Sequence, residues 1–234
     1  MTEFRPGGFQ LIPPVIKNLV IINVLIYLAQ STLGHEVDYK LQDLFALHDI
    51  RSPLFKPHQF VTYLFLHGGW DHVLYNMFAL WMFGSILENY WGGKRFLIFY
   101  VVCGIGAAVA HLLVLYPEMT PEFERWYAHG LDLHQPEAYD HLAIINPATV
   151  GASGAVFGCL AAMGYLFPNS LIYLYFLVPI KVKWVVLAYA AIELFRGVNP
   201  TAGDNVAHWA HLGGGLVGLL LVIYWNRSNR RNFY

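Results

Sequence analysis

Long apolar runs are the strongest constraint on this chain. They lie at about Val15–Leu33, His72–Leu87, Phe96–Tyr116, Val150–Phe167, Trp184–Phe195 and Val206–Trp225, and they carry almost no charge. A helix needs about 20 such residues to cross a bilayer. In hydrocarbon every backbone N–H and C=O must be satisfied within the segment, so the helix is the form these runs have to take. The fifth run is short: Lys181 and Lys183 precede it and Arg196 follows, so it predicts either a short helix or one whose lysines snorkel. Residues are 57% hydrophobic and only 12% charged, which sets the chain apart from soluble domains. Net charge is −1 with no dense basic cluster, which excludes a nucleic-acid partner. The predicted fold class is therefore all-α and polytopic, a bundle of six transmembrane helices.

The domain reading follows from the same runs: residues 1–14 form a cytoplasmic N-terminal segment, 15–226 one six-span membrane domain, and 227–234 a basic tail. No cleavable signal opens the chain, so the first run is expected to stay as an anchor. Arg5, Lys17, Lys94, Arg95, Lys181, Lys183, Arg227, Arg230 and Arg231 all fall on one side of six spans. The positive-inside tendency makes that side cytoplasmic, with both termini inside, in a cell (inner) membrane if the source is bacterial. On the outer side, Gly34–Asp71 mixes apolar and polar residues in "LQDLFAL" and "QFVTYLFLHGGW", which suits a loop partly dipped into the membrane. Pro117–Pro147 reads as an exposed loop. Cys103 and Cys159 fall inside runs and read as small buried residues without a pairing role.

Polar groups at the ends of membrane helices are costly unless partnered, so they are the informative residues. Ser153 opens the fourth run. His72 and Asn76, four apart in "HVLYN", share one helix face. His211 opens the sixth run in "NVAHWAHLGGGLVG". All three groups fall at the outer end of their runs, so they lie at similar depth. A serine and a histidine brought together form a nucleophile and its base, and His72 and Asn76 have hydrogen-bond donors for an oxyanion. Gly151, Gly154 and Gly158 on the fourth run, with Gly214 and Gly218 on the sixth, have the small-residue spacing that lets helix backbones approach closely. In the first turn of a helix, Ser153 has backbone N–H groups around it without helical acceptors, which also suit an oxyanion. Gly151 and Ala152 are expected to leave open space beside it for a substrate backbone.

"GASGAVFG" around Ser153, "HGGWDHVLYNMFALWMFG" from His67 to Gly84 and "AHLGG" from Ala210 to Gly214 together resemble the signature motifs of the rhomboid intramembrane serine proteases. The resemblance follows the order and spacing of all six runs, from Val15 to Trp225. It implies Ser153 as nucleophile, His211 as general base and acid, and His72 and Asn76 as oxyanion donors beside the Ser153 N–H. It further implies a Ser–His dyad with no acidic third member, and neither cofactor nor metal. The position four after the serine, often Tyr in that family, is Phe157 here, which can still pack on His211. Partners on this reading are single-span or multi-span membrane protein substrates and the lipid bilayer.

Each of these residues also has a plainer reading. A lone serine in a membrane helix more often bonds back to its own backbone. His208, three residues before His211, competes for the role of base; the "AHLGG" motif favours His211. His72 and Asn76 form a structural pair if they are not donors. His67 is expected to fix the outer segment and His111 to be a satisfied core histidine. His129, His134 and His141 read as surface residues of an exposed loop, with a weak metal site as the alternative. Glu193 is expected near the outer interface and Glu88 near the inner one, and Asp204 reads as turn chemistry in "NPTAGDN", where a triad role stays conceivable. Two other classes remain at this stage. One is a catalytically inactive rhomboid-like binder of membrane segments. The other is a transporter or haem protein using His72, His111 and His211.

Overall fold

The computed structural model describes residues 8–128, 148–174, 177–199 and 206–230. Arg5, Asp204, His129, His134, His141 and Arg231 lie outside these described residues. Helix dominates, as the apolar runs require. Helix α1 spans Pro14–Thr32 and opens with proline in its first turn, where the missing N–H would have had no helical acceptor anyway. The Glu88 carboxylate accepts the N–H groups of Val15 at 2.9 Å and Ile16 at 2.8 Å. An anion at the positive end of the helix satisfies donors that the helix leaves orphaned. Glu88 is thus buried as the cap of α1.

The outer segment folds as α2 (His35–Phe45), α3 (Gln59–Thr62) and a 3₁₀ turn at Tyr63–Phe65. Helix α2 buries no residue and exposes Tyr39, Leu44 and Phe45. Two hydrogen bonds at 2.9 Å between Leu47 and Thr149 tie the segment to the chain that leads into the Ser153 helix.

Residues 70–91 are helical throughout: α4 (Trp70–Ala79), a π turn at Leu80–Gly84, and α5 (Ser85–Trp91). A Cβ at Gly84 would sit 2.5 Å from Ile16 Cδ1, so this glycine sets how closely α1 packs. Next comes α6 (Gly93–Ala128), which continues through Pro117 and Pro121, where the sequence suggests an exposed loop. Tertiary contacts account for the difference. Arg51 donates to the Tyr116 carbonyl at 3.0 Å and to Thr120 Oγ1 at 2.8 Å, and its guanidinium lies 4.1 Å from the Tyr116 ring centroid. The outer segment therefore holds this turn helical against the proline cost.

Helix α7 (Ser153–Leu166) is followed by an antiparallel hairpin of β1 (Leu171–Leu174) and β2 (Val178–Lys181), an element that the all-helical expectation omits. Helices α8 (Val182–Val198) and α9 (His208–Arg230) complete the described chain. Helices form over all six apolar runs. By length and composition, Pro14–Thr32, Gly93–Glu118 and His208–Arg227 are long and apolar enough to cross a membrane, and Ser153–Leu166 is a shorter apolar helix. Helix α9 packs against both α6 and α7. A Cβ at Gly214 would collide with the Gly154 carbonyl oxygen, and one at Gly218 would lie 2.8 Å from Gly158 Cα. On the α6 side, a Cβ at Gly213 would collide with Ala110 Cβ. Cys103 and Cys159 are buried free thiols in this core.

Candidate active site

The chain enters α7 through Gly151, whose φ of +124° strains any residue with a Cβ. Its N–H donates to Tyr63 O at 2.9 Å, which anchors this turn to the outer segment. Ser153 is the first helical residue. Val156 N–H closes the first turn on Ala152 O at 3.0 Å, so the N–H groups of Ser153, Gly154 and Ala155 have no acceptor within the helix.

His211 lies in the first turn of α9, and the glycine seam between α7 and α9 brings it to Ser153. The Ser153 Oγ and His211 Nε2 atoms are 2.7 Å apart. Phe157, one turn further along α7, stacks on the imidazole with centroids 4.4 Å apart and planes 8° from parallel. That contact orients the ring without any hydroxyl.

His72 occupies the space beside Ser153 that the sequence left to a substrate. A Cβ on Gly151 would fall 2.7 Å from both His72 Cε1 and Nε2 and 3.7 Å from Ser153 Oγ. The glycine is thus needed to admit this ring. Gly68 N–H donates to His72 Nδ1 at 3.4 Å, which leaves the ring proton on Nε2, the nitrogen nearest Gly151. Asn76 lies one turn along α4; it is buried, and its Nδ2 has no hydrogen-bond partner. An unpartnered buried amide is costly unless a ligand completes it. His67 is buried beside His72, edge-on, with centroids 5.0 Å apart. His111 shares a hydrogen bond of 2.9 Å with Thr149 Oγ1.

The principal difference concerns Glu193. The sequence lets it reach the outer interface, and the resemblance implies no acid beside the histidine. In the structure it is buried on α8, and its Oε2 lies 2.6 Å from His208 Nδ1 and 3.0 Å from His211 Nδ1. The first contact is a hydrogen bond. The second is close but not aligned as one, since His211 Nδ1 has no hydrogen-bond partner. Together the three residues offer one metal-ligand atom each within 4.8 Å of one another. The signal for Glu193 was present in the sequence: a carboxylate inside "VVLAYAAIELF" is rare in a membrane helix and asks for a partner. His208 and His211, three apart on one face of α9, provide it.

The apolar helices that wall this serine–imidazole contact, three of them long enough to cross a membrane, are those of an integral membrane protein. The chain belongs to the rhomboid family, whose domain model matches residues 55–228. It is 30% identical over 225 residues to Rhomboid-like protein 11, chloroplastic, of Arabidopsis thaliana, covering 87% of this chain and 62% of that protein. Over 164 residues it is 29% identical to Rhomboid protein 1, mitochondrial, of Saccharomyces cerevisiae, covering 70% of this chain and 40% of that protein. With Rhomboid protease AarA of Providencia stuartii the identity is 24% over 221 residues, 88% of this chain and 70% of the relative. The chain thus spans less than two thirds of the first two relatives. Family membership supports intramembrane protease function.

Proposed function

We propose that this chain is an intramembrane serine endopeptidase that cuts membrane-spanning segments of other proteins near the outer face of the bilayer. The observation that carries the reading is the 2.7 Å contact between Ser153 Oγ and His211 Nε2. His211 takes the Ser153 proton as Oγ attacks the scissile carbonyl, and it returns that proton to the leaving amine. Water then repeats the sequence on the acyl-enzyme. The tetrahedral oxyanion is met by the Ser153 N–H, by His72 Nε2–H and by the unpartnered Asn76 amide, donors already in place before the charge develops. No cofactor takes part.

The substrate has to arrive as extended chain. A peptide bond inside a helix has its carbonyl tied into the backbone ladder and shielded by side chains. The site stands at the start of α7 and α9, on the outer side of six spans with both termini cytoplasmic, and there water replaces the ladder bonds that a substrate gives up.

The test is cleavage of a generic single-span substrate by purified protein in liposomes. Replacing Ser153 or His211 by alanine is expected to remove cleavage, and the double variant is expected to be no worse, because the two act as one unit. Persistent cleavage by S153A overturns the reading.

A further inference from the structure

We propose that Glu193 and His208 complete the catalytic unit as positioning residues: Glu193 holds the His211 imidazole in its proton-accepting tautomer, and His208 holds Glu193 in place. The inference rests on the reading of Ser153 and His211 as nucleophile and base.

Glu193 Oε2 is approached by two imidazole nitrogens, His208 Nδ1 at 2.6 Å and His211 Nδ1 at 3.0 Å. A carboxylate only accepts hydrogen bonds, so the His208 nitrogen that bonds it bears a proton. His211 has two possible tautomers. With its proton on Nε2, the ring would direct that proton at Ser153 Oγ and turn the Nδ1 lone pair toward the carboxylate, setting two electron-rich atoms 3.0 Å apart. With the proton on Nδ1, the N–H lies beside the carboxylate, 3.0 Å away though not yet aligned with it, and Nε2 is free to accept the Ser153 O–H across 2.7 Å. Only the second tautomer is compatible with both neighbours, and it is the one that makes His211 a base.

Among the described residues, the other titratable groups acting on His211 are His72 from α4 and His111 from α6. His208 stands on the same helix as His211, its ring edge-on with centroids 6.5 Å apart. Glu193 is the carboxylate of the set. As Oγ bonds to the carbonyl carbon, the Ser153 proton moves to Nε2 and the ring becomes a cation facing the carboxylate. When the C–N bond breaks, that proton leaves with the amine. Glu193 neither gains nor loses a proton at any stage. The unaligned Nδ1 contact suits a resting site, because catalytic hydrogen bonds often tighten only once charge develops.

A packing role would be filled as well by glutamine, which has the same shape. In E193Q, however, the side-chain amide would be able to present its NH₂ to His211 Nδ1 and so favour the wrong tautomer. The experiment compares wild type, E193Q and E193D in liposomes by kcat and KM for a single-span substrate, and by the rate at which a fluorophosphonate labels Ser153. E193Q is expected to lose on the order of 10²-fold or more in kcat, with KM within about twofold. Labelling is expected to fall in parallel, and E193D to recover part of kcat. Wild-type kcat in E193Q overturns the inference. Equal loss in E193Q and E193D with raised KM and lowered thermal stability overturns it too, since that pattern is structural. If E193Q does not fold, H208Q leaves the carboxylate in place, and a several-fold loss of kcat at constant KM is expected; unchanged kcat overturns the inference. A wild-type protein that neither cleaves nor labels at Ser153 overturns the protease reading itself, which separates the two failures.

Discussion

At the scale of single residues, Ser153 depends on what its neighbours lack. Gly151 has no Cβ to block the His72 ring, and the first α7 residues have no helical acceptor for their N–H groups. Phe157 contributes only a flat face, yet it fixes the plane of the His211 ring. Asn76 leaves a buried Nδ2 unmatched, a cost of about 1–3 kcal/mol that a bound oxyanion would relieve. Replacing Asn76 or His72 by alanine is therefore expected to lower kcat by about 10²- to 10³-fold, the usual effect of deleting one oxyanion donor. Steady-state kinetics on the single-span substrate check this, and a change confined to KM would assign both residues to substrate binding.

At the scale of elements, the seam between α7 and α9 decides whether the serine and the imidazole meet. A Cβ at Gly214 would run into the Gly154 carbonyl, a backbone atom that cannot rotate away, whereas at Gly215 the nearest atom is the Phe157 carbonyl oxygen at 3.8 Å. G214A has to push the helices apart. It is expected to destabilise the protein by about 1–3 kcal/mol, as overpacking does, and to reduce kcat because His211 moves with its helix. G215A is expected to leave both unchanged. Thermal unfolding in detergent and kinetics on the two variants test the contrast, and equal effects would show that close approach at Gly214 is not what holds the site.

At the scale of the whole molecule, the outer segment braces the site from above. It bonds Gly151 through Tyr63 O, Thr149 through Leu47, and α6 at Tyr116 and Thr120 through Arg51. His67 is buried in that brace, and burial, helped by the neighbouring His72, pushes its pKa down to about 3. His48 is also held below the ordinary histidine value, chiefly by burial. Between an unfolded pKa near 6.5 and a folded value near 3, the unfolded chain binds the His67 proton and the folded chain does not. Stability thus falls as pH drops through this window, by about 2 kcal/mol at pH 5 from His67 alone. Thermal unfolding at about pH 7 and about pH 5 is expected to reveal the loss, and H67Q to diminish it. An undiminished loss in H67Q would place the sensitivity elsewhere.

Local composition and spacing were enough to show helices over the six apolar runs, the pairing of His72 with Asn76 on one face, and the glycine stripes at Gly154, Gly158, Gly214 and Gly218. Such features depend on neighbours within a few residues and on the hydrocarbon solvent, both of which are written along the chain. The sequence also marked Ser153 and His211 as the pair to bring together. What it left open were long-range contacts. The continuation of α6 past Pro117 depends on Arg51, 66 residues earlier in the numbering. The burial of Glu88 depends on the start of α1, and the place of Glu193 on two histidines of α9. A carboxylate in an apolar run announces that it needs a partner, but only the packing of α8 against α9 determines that the partner includes His211, because the choice among distant groups rests on tertiary geometry and not on any local preference of the chain.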